Sequence, residues 1–157
     1  VIVNGKRVGK DVDFPPDLGI IIETPGFLPN ITGVKNLEIL ASLNKKIGLE
    51  QIAASIHRVG LDPHMKKPVG KYSLGMRQRL GIAQAIMEDP ALLILDEPLN
   101  GLDKHGVREM RQLIKGLKEQ GKTILLASHN QGDIDELCDT VCEMDAGVMT
   151  MIREESI

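Results

Sequence analysis

Short apolar runs alternate along this chain with longer stripes of helical spacing. Val1 to Val3, the pair Asn4-Gly5 and Lys6 to Val8 read as a strand, a turn and a return strand. Leu18 to Ile22 is a continuous apolar run of buried-strand type, closed by Thr24-Pro25-Gly26. Val34, Leu37, Leu40 and Ala41 then recur at helical spacing, as do Leu49, Ile52, Ala53 and Ile56; Gly60 ahead of Asp62-Pro63 ends the second stripe. A third stripe, Met76, Leu80, Ala83, Ile86 and Met87, runs from Ser73 to Asp89-Pro90, and Ser73 can cap its start. Ala91 to Leu95 predicts a strand buried on both faces, with acids at its end. Val107, Met110, Ile114 and Leu117 predict a helix face, and Ile124 to Ala127 another buried strand. Ile134, Leu137 and Cys138 mark a short helix. Val141 to Met144 and Val148 to Ile152 predict a hairpin around Asp145-Ala146-Gly147.

The strand–helix–strand alternation after Pro90 points to an α/β core with parallel strands. Residues 32–88 show only helical patterning and read as a separate lobe inserted into that core. Composition fits this picture without refining it: 157 residues, 42% hydrophobic and 26% charged, are enough for one domain with a full core. No apolar run approaches the roughly 18 residues of a membrane span. Nineteen basic against 22 acidic residues argue against a nucleic-acid surface. Cys138 and Cys142 are spaced as helix neighbours, without clustered His, which disfavours zinc; two thiols in such a chain suit a reducing, cytoplasmic compartment. The chain begins at Val1, without an initiator Met or the pattern of a signal peptide.

Candidate chemistry enters at four places. Gly116 to Thr123 matches the phosphate-loop pattern G-x4-G-K-[ST], but that mechanism needs a strand before the loop and a helix after it. Here the order is reversed, so Lys122 is expected at the wrong edge of the sheet. Asp96-Glu97, at the carboxyl end of an apolar strand, offers one carboxylate to hold Mg²⁺ and one to orient or deprotonate a water; solvated strand ends carry such pairs too. Tyr72 to Arg79 opens a helix with small residues. Ser73 and the free amides there can bind an anion, with Lys66, Lys67, Lys71, Arg77 and Arg79 expected around them, although a capped helix with a solvated basic face would look the same. His129 follows the Ile124 strand and can donate to a phosphate oxygen; His57, His64 and His105 read as incidental.

Taken in order, these elements resemble the nucleotide-binding domain of ATP-binding cassette (ABC) transporters. Ser73 to Arg79 is similar to the family signature, Leu92 to Glu97 to its Walker B strand, Leu99 to Asp103 to the D-loop and His129 to the switch histidine. Glu23 to Thr32 resembles the Q-loop and the segment after it. Glu23 together with Tyr72 to Ala83 is most like the branch that exports or resists bacitracin and lantibiotic-type peptides.

The resemblance implies a RecA-like P-loop NTPase core, residues 1–31 and 89–157, with the helical signature lobe at 32–88. It implies an ATPase using ATP and Mg²⁺, working as a head-to-tail dimer with a second nucleotide-binding domain. A transmembrane permease would be the other partner, at the inner face of the cell membrane. Ser73, Gly75 and Met76 would then approach the partner's nucleotide, Asp103 would couple the subunits, and Asp96 would support Mg²⁺. Glu97 would be the catalytic base and His129 would stabilise the γ-phosphate. Glu23 stands where Gln ordinarily contacts Mg²⁺ and senses the permease, and its charge departs from that pattern. Leu74 and Met76 replace a Gly and a Gln of the commonest signature.

The family's phosphate loop and adenine-stacking aromatic would precede the strand matching Val1, so the sequence reads as truncated at its front. These residues alone are expected to hydrolyse no ATP. Two other readings remain: a soluble cassette ATPase of DNA repair or translation, for which residues 32–88 are too short to hold the required insertion, and a non-catalytic dimerisation or docking module.

Overall fold

Asn4 and Gly5 both take left-handed backbone (φ 49° and 76°), the geometry of a two-residue hairpin turn. They join β1 (Ile2–Val3) to β2 (Lys6–Arg7), with Ile2 opposite Arg7. The computed structural model describes residues 1–15, 17–23 and 25–154, so Thr24, expected to help close the next strand, lies outside the described residues. That strand, β3 (Leu18–Ile21), leads to α1 (Gly33–Asn44) and α2 (Leu49–Arg58). A 3₁₀ turn at Val69–Lys71 precedes α3 (Leu74–Ile86). There follow β4 (Leu92–Asp96), α4 (Lys104–Glu119), β5 (Thr123–Ala127) and α5 (Gln131–Leu137). A hairpin of β6 (Thr140–Asp145) and β7 (Val148–Glu154) ends the described chain, turning on Ala146 and Gly147, both left-handed.

The centre is a parallel sheet in the order β3-β4-β5, with Leu18 opposite Leu92 and Leu92 opposite Thr123. Parallel neighbours need long crossovers: α1 to α3 connect β3 to β4, and α4 connects β4 to β5. The α/β core with parallel strands is therefore observed, and both hairpins lie outside the parallel sheet.

One buried cluster runs through helices and sheet alike, including Leu37, Ile52, Leu80, Ile82, Leu93, Leu95 and Met110. Burying each such side chain contributes roughly 1.5–3 kcal/mol. Close contact between α3 and the sheet depends on Gly19: a Cβ there would lie 2.0 Å from the Ala85 carbonyl oxygen and 2.7 Å from Leu93 Cδ2. No larger residue fits without displacing α3. The amphipathic face read on α4 buries Met110, Ile114 and Leu117. Its polar side pairs with α5 and the residues after it: Arg111 with Asp133 and Glu136, Lys115 with Glu136, and Lys118 with Asp139.

Two expectations about burial are corrected. In β4 only Leu93 and Leu95 are fully buried, while Leu92 and Ile94 are half-buried. Among the described residues β5 is an edge strand, alternating between exposed and half-buried, with Leu125 62% exposed. Register explains both, because Ile20, Ile94 and Leu125 stand side by side on one face, and the described residues leave that face largely open. A continuous apolar run marks a strand, but burial of its second face requires another layer. The pairing of Cys138 and Cys142 as helix neighbours is also corrected: Cys138 ends α5 and Cys142 lies in β6, after the chain has turned into a strand.

Candidate functional site

Because the three central strands are parallel and in register, their carboxyl ends reach one edge of the sheet. In open α/β folds that edge is where ligands bind. Glu23 follows β3, Asp96 ends β4 with Glu97 next after it, and His129 follows β5, so the topology brings these four candidates to the same edge.

Glu97 is held in an unusual conformation. Its φ is 46°, which costs about 1 kcal/mol for a residue with a side chain. Backbone partners hold it on both sides: its N–H donates to the Ala127 carbonyl at 2.9 Å, and its own carbonyl accepts from the Asn100 N–H at 3.2 Å. The Gln78 amide nitrogen donates to the same carbonyl at 3.1 Å. Oε1 of Glu97 accepts the His129 main-chain N–H at 2.9 Å and lies 2.5 Å from Nδ1 of the His129 ring. The ring is 78% exposed and the Glu97 side chain 25%. Among the described residues Oε2 has no hydrogen-bond partner, and neither does the half-buried Asp96 carboxylate. Glu23 is exposed, with φ 49°, and its carboxylate likewise makes no contact of this kind among the described residues.

Beside this edge a groove of about 440 Å³ runs between the start of α3 and the turn before α4, lined by Ser73, Gly75, Met76, Gly101, Leu102 and Asp103 among others. Ser73 caps α3, its Oγ accepting the Met76 N–H at 3.2 Å. The amides of the helix's first turn give this end partial positive charge. Gly75 allows the close approach of the two walls, since a Cβ there would lie 3.1 Å from the Gly101 carbonyl oxygen. Asp103 also serves the fold directly, its Oδ1 accepting the Gly106 N–H at 2.8 Å and capping α4.

Of the basic residues expected around Ser73, Arg79 lines the groove and Arg77 lies beside it, both held by other partners. Arg79 is largely buried, donating to the Val59 carbonyl at 2.6 Å and to Glu109 at 2.6 Å. That hydrogen bond holds the Glu109 carboxyl below its ordinary range, against a smaller opposing effect of burial. Arg77 donates to the Tyr72 carbonyl at 2.8 Å. Lys66, Lys67 and Lys71 are exposed. The phosphate-loop look-alike lies where its context placed it. Gly116 is inside α4, and Lys122 binds the Asp89 carboxylate at 2.8 Å and its carbonyl at 3.0 Å, at the opposite edge of the sheet.

Two residues passed over in the sequence hold the site's framework. Gln78 shares the spacing of the buried Ile82 and Ala85, a second inward face of α3 that the Met76-Leu80 stripe conceals. Asn36, buried in α1, donates to the Leu28 and Thr32 carbonyls and accepts the Leu28 N–H, fixing the segment after Glu23.

A family model described as ABC transporter matches residues 1–100. The chain belongs to the ABC transporter ATP-binding family. Among its relatives, the ABC transporter ATP-binding protein YybJ of Bacillus subtilis is 42% identical over 147 residues, covering 94% of this chain and 67% of that protein. The bacitracin transport ATP-binding protein BcrA of Enterococcus faecalis is 47% identical, covering 83% and 42%. The lantibiotic transport ATP-binding protein SrtF of Streptococcus pyogenes is 37% identical, covering 87% and 59%. The chain thus spans between two fifths and two thirds of these proteins. A solved dimeric ATP-binding cassette, in a post-hydrolysis state with ADP and Pi, shares the fold at TM-score 0.80 and 18% identity, covering 97% of this chain and 72% of that one.

As an ABC ATP-binding domain, the chain presents its donors sparsely. Among the described residues no group of three or more His, Cys, Asp or Glu side chains is arranged to hold a metal ion. Among the described residues, too, no helix is long and apolar enough to cross a membrane.

Proposed function

We propose that the chain is the signature- and Walker B-bearing part of an ATP-hydrolysing subunit that drives a membrane transporter, with peptide antibiotics of the bacitracin or lantibiotic type as exported substrates. The observation that carries this reading is the pairing of Glu97 with His129 at the carboxyl edge of the sheet, beside an Asp96 carboxylate without a partner among the described residues. Glu97 takes the proton of the attacking water, and its contact to His129 holds the carboxylate in one orientation. His129 stabilises charge on the terminal phosphate. Asp96 supports Mg²⁺, directly or through water, and Glu23 is the second candidate ligand at that edge. The ion supplies charge neutralisation at the phosphates.

The groove supports the remaining assignment. Ser73, Gly75 and the amide of Met76 meet the γ-phosphate of a nucleotide bound to a second nucleotide-binding domain, in a head-to-tail pair. Asp103, across the groove, couples the two subunits by fixing the start of α4. A separate transmembrane permease is the other partner, which places the subunit on the cytoplasmic face of the membrane. The two lobes, 1–31 with 89–157 and 32–88, divide this work between catalytic edge and signature. Among the described residues no phosphate loop has a strand before it and a helix after it, so in isolation they turn over no ATP. The test is reconstitution of the full-length protein with its permease in vesicles. ATP hydrolysis stimulated by a bacitracin-type peptide is expected; hydrolysis indifferent to permease and peptide would overturn the transport reading.

A further inference from the structure

The helix that begins at the signature turn also reaches the carboxylate edge of its own subunit. Gln78 lies one turn past Ser73 on α3 and is only 3% exposed. Its Nε2 donates across to the Glu97 carbonyl at 3.1 Å. A buried amide in an otherwise apolar face is retained at a cost unless its hydrogen bond is needed. Glu97 is where such a bond has most effect. With its N–H fixed to Ala127 and its carbonyl fixed to Gln78 and Asn100, the left-handed backbone has little freedom, and the direction in which the side chain leaves it is set.

We propose that Gln78 is a positioning residue for Glu97, transmitting the position of the signature turn to the carboxylate of the same subunit; this rests on the reading of Glu97 as the base. The consequence concerns the pair of sites. The start of α3 responds to a nucleotide held by the partner, while Glu97 acts on the nucleotide of its own subunit. One hydrogen bond between α3 and the end of β4 therefore links occupancy at one site to the geometry of the base at the other.

The experiment uses the full-length protein carrying Gln78→Met, which keeps the length of the side chain but removes the donor, and Gln78→Leu, a second apolar replacement without a donor. Two quantities are read: steady-state ATP turnover, and the ¹H–¹³C signals of the His129 ring in ¹³C-histidine-labelled protein, assigned with His129→Gln. Loss of positioning lowers kcat about tenfold or more with KM for ATP within about twofold. It also moves the His129 ring signal toward its position in Glu97→Ala, and in a Glu97→Ala background the Gln78 substitutions move that signal no further. An unchanged His129 signal in Gln78→Met, or a fall in kcat matched by loss of ATP affinity, overturns the proposal. Should Gln78→Met fail to fold, Gln78→Leu carries the test. A wild-type protein without ATPase activity would refute the functional reading, while the ring signal would still decide whether Gln78 places Glu97.

Discussion

His129 meets Glu97 twice, through its ring Nδ1 at 2.5 Å and its main-chain N–H at 2.9 Å, although 32 residues separate them. Both contacts fall on one carboxylate oxygen. The other is left without a partner among the described residues, the arrangement expected of a base that is oriented but not occupied.

Replacing Glu97 by Gln keeps the shape and removes the proton acceptor. On the proposed mechanism kcat of the full-length protein falls about a hundredfold to ten-thousandfold. ATP binding and the unfolding midpoint stay near wild type, because the backbone bonds to Ala127, Gln78 and Asn100 persist. Turnover assays beside thermal melts check this; a fall below fivefold would remove Glu97 from the base's role.

Lys122 gives the opposite expectation. It sits in a phosphate-loop pattern but is committed to Asp89 at the far edge of the sheet. Lys122→Ala leaves kcat and ATP affinity nearly intact and costs on the order of 1 kcal/mol of stability, as an ion pair open to solvent on one side does. A collapse in turnover like that of Glu97→Gln would mean that the pattern acts on phosphate after all.

Arg79 and Glu109 predict a pH dependence of stability. The folded state holds the Glu109 carboxyl below its ordinary value of 4.5, chiefly through the Arg79 hydrogen bond. A depressed carboxyl contributes stability above its unfolded value and loses it as pH falls through the folded one. Urea unfolding should therefore show Glu109→Gln weaker than wild type at neutral pH, with the gap closing in acid. Arg79→Ala costs roughly 1.5–3 kcal/mol at neutral pH, because the Val59 carbonyl and Glu109 both lose a charged donor. A gap that widens in acid would reverse the assigned sign.

Gly19→Ala tests the docking of α3 on the sheet. The added methyl meets the Ala85 carbonyl and Leu93 and cannot be accommodated by a rotamer change alone. Overpacking of this kind costs about 1–3 kcal/mol or more, read as a lower urea midpoint. By contrast, Gly116→Ala has open space around its Cβ and should leave that midpoint unchanged or higher.

Much of the fold and part of the site are legible along the chain. The stripes from Val34 to Met87 fall on α1, α2 and α3, Ser73 caps where its residue type says it should, and Asn4-Gly5 and Ala146-Gly147 turn their hairpins. The reversed context of Gly116 to Thr123 suffices to discount it. The same reading overstates the burial of β4 and β5, does not foresee the carbonyl and carboxylate partners of Arg77 and Arg79, and passes over Gln78 and Asn36.

The division has a physical origin. Helical spacing, caps and turns depend on residues a few positions apart, so the sequence by itself determined the elements, their order and the types of group at the strand ends. What a side chain faces depends on layers contributed by distant segments. Only the tertiary structure decided that Arg79 answers Glu109, that Leu125 in β5 is exposed among the described residues, and that Gln78 and His129 converge on Glu97 from opposite directions along the chain.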